Sequence, residues 1–543
     1  MRWGVVCLAA GFALVVVDAD AAEPPAPDAT ALALRAATEQ RLGRYADAET
    51  AWRHVVASRE AEHAPPALLA AALDGLGEVL RRRGRFDDAE AVLARALALK
   101  EEAFGAETEA AVPSLTALGS IARSRGRQAE AEWLYRRALA LEENARAPRP
   151  VKVAGLRANL ADLYRTQGRL TEGEELSRRA LALLEPVVGP DHPDVAGALD
   201  SLANHLVERG LLDEAETLLR RANAIVEKAL GPDHPEGIVV LSDLASLELR
   251  RRRAPAAVKL HERILAISER AFGDDHPEVA TALNNLAVSL VSAGRGPEAE
   301  PLFRRALATG ERIFGPDHPS LAATLDNLGV LSRQAGRVDE AEALLRRSVD
   351  ILEEAHGLHH VRLAVPLQGL GDLYLGEERF AEATSVFERA LSLVENAYGP
   401  EHTRLLSILN GLAEVLRQRG DPARAEELYR RSIHIADAAP DEFWGERALA
   451  LNSLAVLHHA RGRTEEAKQL FTRAVAAVER GAGPRDRSLA PILVNLAVVY
   501  SETGPSSYAK SLYRRAVEID PALAAPQLVR VSAPGGGAAI RER

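Results

Sequence analysis

The feature that most constrains this chain is a spacing. Gly84, Gly126, Gly168, Gly210, Gly294, Gly336, Gly420, Gly462 and Gly504 fall on one 42-residue grid, and Arg252 and Glu378 occupy the two remaining grid points. A leucine stands eight residues before every grid point, from Leu76 and Leu118 to Leu454 and Leu496, and the next residue is always Gly or Ala. Five residues after the grid point comes Ala, from Ala89 to Ala509, with Gly173 the one departure. A pattern held at one period over this length describes a stack of one supersecondary unit rather than a set of unrelated domains.

Each period reads as two antiparallel helices. In residues 191 to 231, Asp191 or His192 is placed to cap a first helix, Pro193 suits its first turn and Gly210 stops it. A second helix is expected from about Asp213 to Leu230, where Ala215, Leu218, Leu219, Ala222 and Ile225 recur at steps of three and four and form one apolar face. The small residue beside each strict leucine lets two helix axes approach closely while the leucine fills the groove. One hairpin cannot bury both its faces, so the units must stack. Composition agrees: 4% aromatic residues against abundant Ala, Leu, Glu and Arg favour helix throughout. The fold class expected is all-α, an α-solenoid of about twelve helix-turn-helix units.

The leucine followed by Gly or Ala and the two alanines seven apart resemble the tetratricopeptide repeat signature. The linkers Gly189 to Pro193, Gly231 to Pro235, Gly273 to Pro277 and Gly315 to Pro319, with Leu283-Asn284-Asn285-Leu286-Ala287 and Arg304-Arg305-Ala306-Leu307, resemble the kinesin-light-chain type. What the resemblance implies is a right-handed superhelix over residues 29 to 521 that acts as a non-catalytic scaffold or adaptor. Its concave groove would hold a peptide or an extended segment of a protein partner. It further implies that asparagines on the first helices pair with a guest backbone. Asn159, Asn285, Asn327 and Asn495 precede the strict leucine directly, and Asn284, Asn410 and Asn452 stand one residue earlier. Ser201, Asp243, Gly369, Gly411 and Ser453 interrupt the first of these columns. The alternative is a structural element of a cell-envelope complex that associates through convex helices or array ends.

The N-terminus is a different text. Arg2 precedes an uncharged run from Gly4 to Val17, followed by Ala19-Asp20-Ala21. This fits a signal peptide over residues 1–21 with cleavage before Ala22, a short linker over 22–28, and export to the periplasm or medium. The run is shorter than the ~20 residues of a membrane span. Cys7, the one cysteine, lies inside it without the small residue that would precede a lipidation site, so the mature chain carries no disulfide. Arginine-over-lysine usage points to a bacterial source. At the other end, Pro534 and consecutive glycines mark residues 522–543 as a tail.

Candidate chemistry is sparse. A net charge of -11 argues against nucleic acid, and the runs Arg81 to Arg85 and Arg250 to Arg253 read as solvated helix ends. His192, His234, His276, His318, His360 and His402 are one linker position repeated, too far apart to share a metal. The pairs His359-His360 and His458-His459 read as surface residues. No phosphate-cradling loop or nucleophile elbow is present, so no enzyme activity, cofactor, metal or small-molecule substrate is expected. An arginine column eleven residues past each grid point, Arg95 to Arg515, is matched by an acidic column six residues further on. Six is not a helix contact spacing, so their pairing must be between units. Two irregular linkers, Ala147 to Val151 and Ala439 to Trp444, are places where the solenoid could bend or present Trp444 to a partner.

Overall fold

The computed structural model describes residues 29–439, 443–504 and 506–524. Among these, 24 α-helices run from Ala29–Arg41 to Ser506–Ile519 and pair into twelve antiparallel hairpins, numbered here as units 1 to 12. In unit 5 the first helix is Pro193–Glu208 and the second Leu212–Leu230. His192, not Asp191, is the cap. Its Nδ1 accepts from the N–H of Asp194 at 3.2 Å, and His234, His276, His318, His360 and His402 accept in the same way from the residue two ahead.

The hairpin turns explain the grid at every point but Gly504, whose backbone is extended. Gly210 sits at φ +76, and the N–H of Leu211 reaches back to the carbonyl of Leu206 at 2.9 Å, which closes the helix end. Arg252 and Glu378 adopt the same left-handed conformation at φ +59 and +57, against the preference of any residue with a Cβ. The Gly or Ala after the strict leucine has an equally local cause. A Cβ on Gly77 would stand 2.5 Å from Leu93 Cγ, and one on Gly371 2.6 Å from the ring of Phe387. The leucines beside them are buried, Leu328 to 1% and Leu76 to 3%.

Ion pairs knit successive units outside this core. The arginine column reaches back 36 residues: Arg137 to Glu101, Arg221 to Glu185, Arg263 to Glu227, Arg347 to Glu311 and Arg431 to Glu395, all within 2.8 Å. Several of these guanidiniums also donate to a linker carbonyl, as Arg347 does to Pro316 at 2.6 Å. Arg179 has the irregular linker behind it and turns to Glu175 instead. The basic runs are corrected by the same logic, since they are engaged rather than merely solvated. Arg83 and Arg85 meet Glu49 of the preceding unit, and Arg250 meets Glu208.

First helices of neighbouring units touch along much of the array, and second helices make no comparable contact with each other. The first helices therefore form the inner layer of a curved stack and the second helices the outer one. Curvature brings distant units together. Gly43 lies against Pro277, Gly84 against His318, Gly126 against His360, and Arg252 pairs with Asp486, each contact spanning 234 residues. One turn of the coil thus takes about five and a half units, and the second turn rests on the first. Trp444 belongs to this contact. The Arg252 guanidinium covers it at 4.6 Å, so it is not presented to a partner as its linker position suggested.

At the C-terminal end, Pro521–Ala524 forms a short turn held by the Tyr513 hydroxyl donating to the carbonyl of Leu523 at 2.9 Å. The signal-peptide and linker expectations, and the tail from 525 on, lie outside the described residues. No described helix is long and apolar enough to cross a membrane.

Candidate functional site

Curvature makes the inner face of the first helices the concave surface. One column on it is distinctive. Ala71, Pro113, Gly155, Gly197, Val239, Thr281, Ala323, Val365, Leu449 and Pro491 are exposed, with Ser407 half-buried, and none of the eleven is charged. In a chain with 27% charged residues this is an uncharged stripe one residue wide and eleven units long. Val239 is 60% exposed, Val365 64% and Leu449 54%.

Three residues further along each helix runs the polar column that includes Asn284, and beside it the one that includes Asn285. The asparagines are half-buried and bonded largely to the protein itself. Asn327 donates to Asn284 at 3.2 Å across two units, Asn284 donates to Asn285 at 3.3 Å, and Asn495 donates to Asn452 at 3.0 Å. Asn410, 4% exposed, donates to the carbonyl of Glu446 at 3.1 Å. Asn159 is half-buried beside Leu160. The structure therefore brings Asn284, Asn285 and Asn327 into one cluster and Asn452 with Asn495 into a second, and leaves Asn159 apart from both.

Carboxyl groups that sequence reasoning passed over share this floor. Asp326 is 8% exposed, burial pushes its pKa up to about 7, and one of its oxygens has no hydrogen-bond partner. Asp200, 9% exposed, is pushed up by burial and by the neighbouring Asp243, which itself accepts from Asn204 at 2.7 Å. Two acids this close cannot both ionise cheaply, which adds to burial in holding the Asp200 carboxyl above the usual carboxylate range. The period held the signal for these residues, since Asp200 and Asp326 stand in the column of Asn284.

Two of the histidine expectations change. His458 is buried rather than superficial, with Nε2 3.3 Å from Oε1 of Glu426, whose two carboxylate oxygens are also engaged by Arg430, Arg461 and Arg463. His360 is half-buried where the turns of the coil meet. Among the described residues no group of three or more His, Cys, Asp or Glu is placed to hold a metal ion.

The tetratricopeptide repeat profile matches nine segments, most of them overlapping, from residues 28–102 through 153–227 and 278–354 to 446–522. The chain belongs to the tetratricopeptide repeat family. Tetratricopeptide repeats are in general modules of protein–protein interaction, and no catalytic domain is identified beside them. Among solved structures the chain is similar to a putative kinesin light chain with nearly identical TPR-like repeats from Podosopora anserina, at 25% identity over 38% of this chain and 98% of that one, TM-score 0.33. It is also similar to BtubC from P. vanneervenii, at 23% identity over 42% of this chain and 92% of that one, TM-score 0.35. No curated protein matches.

Proposed function

We propose that the inner face binds an extended segment of a protein partner whose contacting side chains are largely uncharged. The observation that carries this reading is the uncharged column from Ala71 to Pro491. Solvent-facing positions without functional constraint tolerate charge, and an exposed apolar line within a curved surface marks a contact site. The clusters around Asn284 and Asn452 flank that line and supply amides within reach of a guest backbone, although their present bonds to each other must be exchanged. A short guest along units 7 and 8 uses Asn285 and Asn327. The scaffold needs no chemistry of its own for this.

The reading also places the protein outside the cytoplasm, on the strength of the apolar segment Gly4 to Val17 and the residues Ala19 to Ala21 that follow it. N-terminal sequencing of the protein from its host should then start at Ala22, and a chain beginning at Met1 would contradict export by cleavage.

The test of the groove is a crosslinking map. A photoreactive phenylalanine analogue placed at Val239, Val365 or Leu449 should trap one recurrent partner band, while the same group at Thr217 or Thr472 on the outer helices should not. Equal trapping at both sets would overturn the assignment to the inner face. In the same cells Asn285→Ala/Asn327→Ala should weaken trapping, and no change would remove the asparagines from the site.

A further inference from the structure

The inner face leaves unexplained a row of histidines at the edge of the solenoid, where the first turn of the coil lies on the second. His276, His318 and His360 sit in the linkers of units 7, 8 and 9, under the hairpin turns of units 1, 2 and 3. A Cβ on Gly43 would stand 2.9 Å from His276 Cδ2, one on Gly84 3.0 Å from His318 Nε2, and one on Gly126 3.3 Å from His360 Cδ2. His356, one helical turn before His360, stacks on Phe86 of unit 2 at 5.6 Å. Tyr45 and Phe314 stack across the same seam at 6.0 Å.

Each linker ring is held by the end of the helix before it and by the cap of the helix after it. Phe272 stacks on His276, Phe314 on His318 and His356 on His360, at 4.3 to 4.5 Å between centroids. Their Nδ1 atoms accept the capping N–H groups of Glu278, Ser320 and Arg362, each at 3.1 Å. A ring whose Nδ1 accepts is neutral and carries its proton on Nε2. The carbonyls of Arg41, Arg82 and Ser124 in the opposite turn face these rings, though Nε2 of His318 makes no well-formed hydrogen bond. A second proton would therefore abolish the cap and place a cation in a dry contact.

The charges around the seam are mostly positive. Arg83 faces His318, Arg125 and Arg362 face His356, and Arg362, itself close to Arg123, faces His360. On the acidic side are Glu278 beside His276, and Asp87 and Glu354 in the roughly 390 Å³ cleft that His356 shares with Arg125 and Arg127. Only His276 would gain a carboxylate on protonation without also gaining an arginine neighbour.

We propose that this seam is an acid-sensitive latch: protonation of its histidines parts the two turns of the coil between units 1 to 3 and units 7 to 9 and leaves the helices intact. Burial holds His276 and His360 below the ordinary imidazole range, His318 at about 4 and His356 at about 3. The closed form has the lower pKa values, so the latch is at full strength above the pKa of an exposed imidazole, ~6.5, and weakens as pH falls through that value. At pH 5 each of His318 and His356 shifts the balance about 30-fold toward the parted form. Further along the seam, Arg252 and Asp486 occupy the places of a turn glycine and a linker histidine and form an ion pair at 3.2 Å. Burial alone would raise Asp486, but hydrogen bonds from Ser488 and the charge of Arg252 hold it below the usual carboxylate range, so this contact survives at pH 5. The latch opens from one end.

The experiment uses the full chain with Cys7→Ser and spin labels at two equivalent pairs of exposed positions, Ala91→Cys with Asp317→Cys, and Lys259→Cys with Arg485→Cys. Distance distributions are recorded by double electron–electron resonance at pH 7.5 and 5.0, with helicity followed by circular dichroism. The first pair should lengthen and broaden at pH 5.0, the second should not, and helicity should hold. In His318→Asn/His356→Phe/His360→Asn, whose asparagines keep the helix caps, the first pair should stay closed at both values. An unchanged first pair, opening that persists in the triple variant, or equal movement of both pairs would each overturn the proposal.

Discussion

Asp326 shows how the floor of the concave face should respond to pH. Its folded-state pKa, about 7, lies above that of an unfolded aspartate, so the unfolded chain releases the proton first as pH rises. Stability is complete below the unfolded value and declines as pH rises through 7. Asp326→Asn should therefore be more stable than the parent by about 2 kcal/mol at pH 8, with the gain shrinking toward pH 4. Urea denaturation across that range checks it, and a gain that ignores pH would show that ionisation is not the cause. The strict leucines carry the apolar counterpart. Leu328 is 1% exposed between two helices, and Leu328→Ala should cost about 2 to 5 kcal/mol in the same denaturation assay. Much at this scale was legible, because a column repeated in many units declares its role. The inter-unit pairing of Arg137, Arg221 and Arg263 follows from spacing alone. Asp200 and Asp326 were passed over because aspartate reads as solvated wherever the partners that bury it are not yet known.

Helix boundaries and hairpin turns are the most readable elements, and unit 5 differs by one residue at the start of its second helix. The reason is physical: a turn glycine, a linker proline and an apolar stripe act within one unit and need no distant partner. What could not be read is whatever depends on residues 234 apart. Trp444 and His360 looked superficial because their covering groups, Arg252 and the turn at Gly126, belong to another turn of the coil. The identity of a cap was half-legible, since Asp191 is the commoner capping residue and His192 makes the bond. Period and seam can be separated by removing one unit. Deletion of residues 211–252 keeps the internal period but brings Gly84 and His318 one unit too close in sequence. The shortened chain should remain helical; His318 then takes the place of His276 under the turn at Gly43, while His276 loses its cover and should become more reactive toward diethyl pyrocarbonate. Unchanged reactivity of His276 would mean that the turn at Gly43 does not shield it.

At the scale of the whole molecule, two surfaces have distinct tasks. The outer helices spend their charge on bonds between units and hold the stack together. The inner helices keep an exposed line free of charge from Ala71 to Pro491, and beneath it Asn327 bonds to Asn284 and Asn204 to Asp243. Sequence pointed to the inner helices through the asparagines, but the uncharged column became visible only when burial separated exposed small residues from packed ones. If that column is the contact surface, charge placed on it should act directly on affinity. The decisive measurement is the dissociation constant of the crosslinked partner for Val239→Glu/Val365→Glu against Thr217→Glu/Thr472→Glu, both confirmed as folded. A loss of tenfold or more, about 1.4 kcal/mol, confined to the inner pair is the predicted result. Equal affinity for the two variants would contradict it.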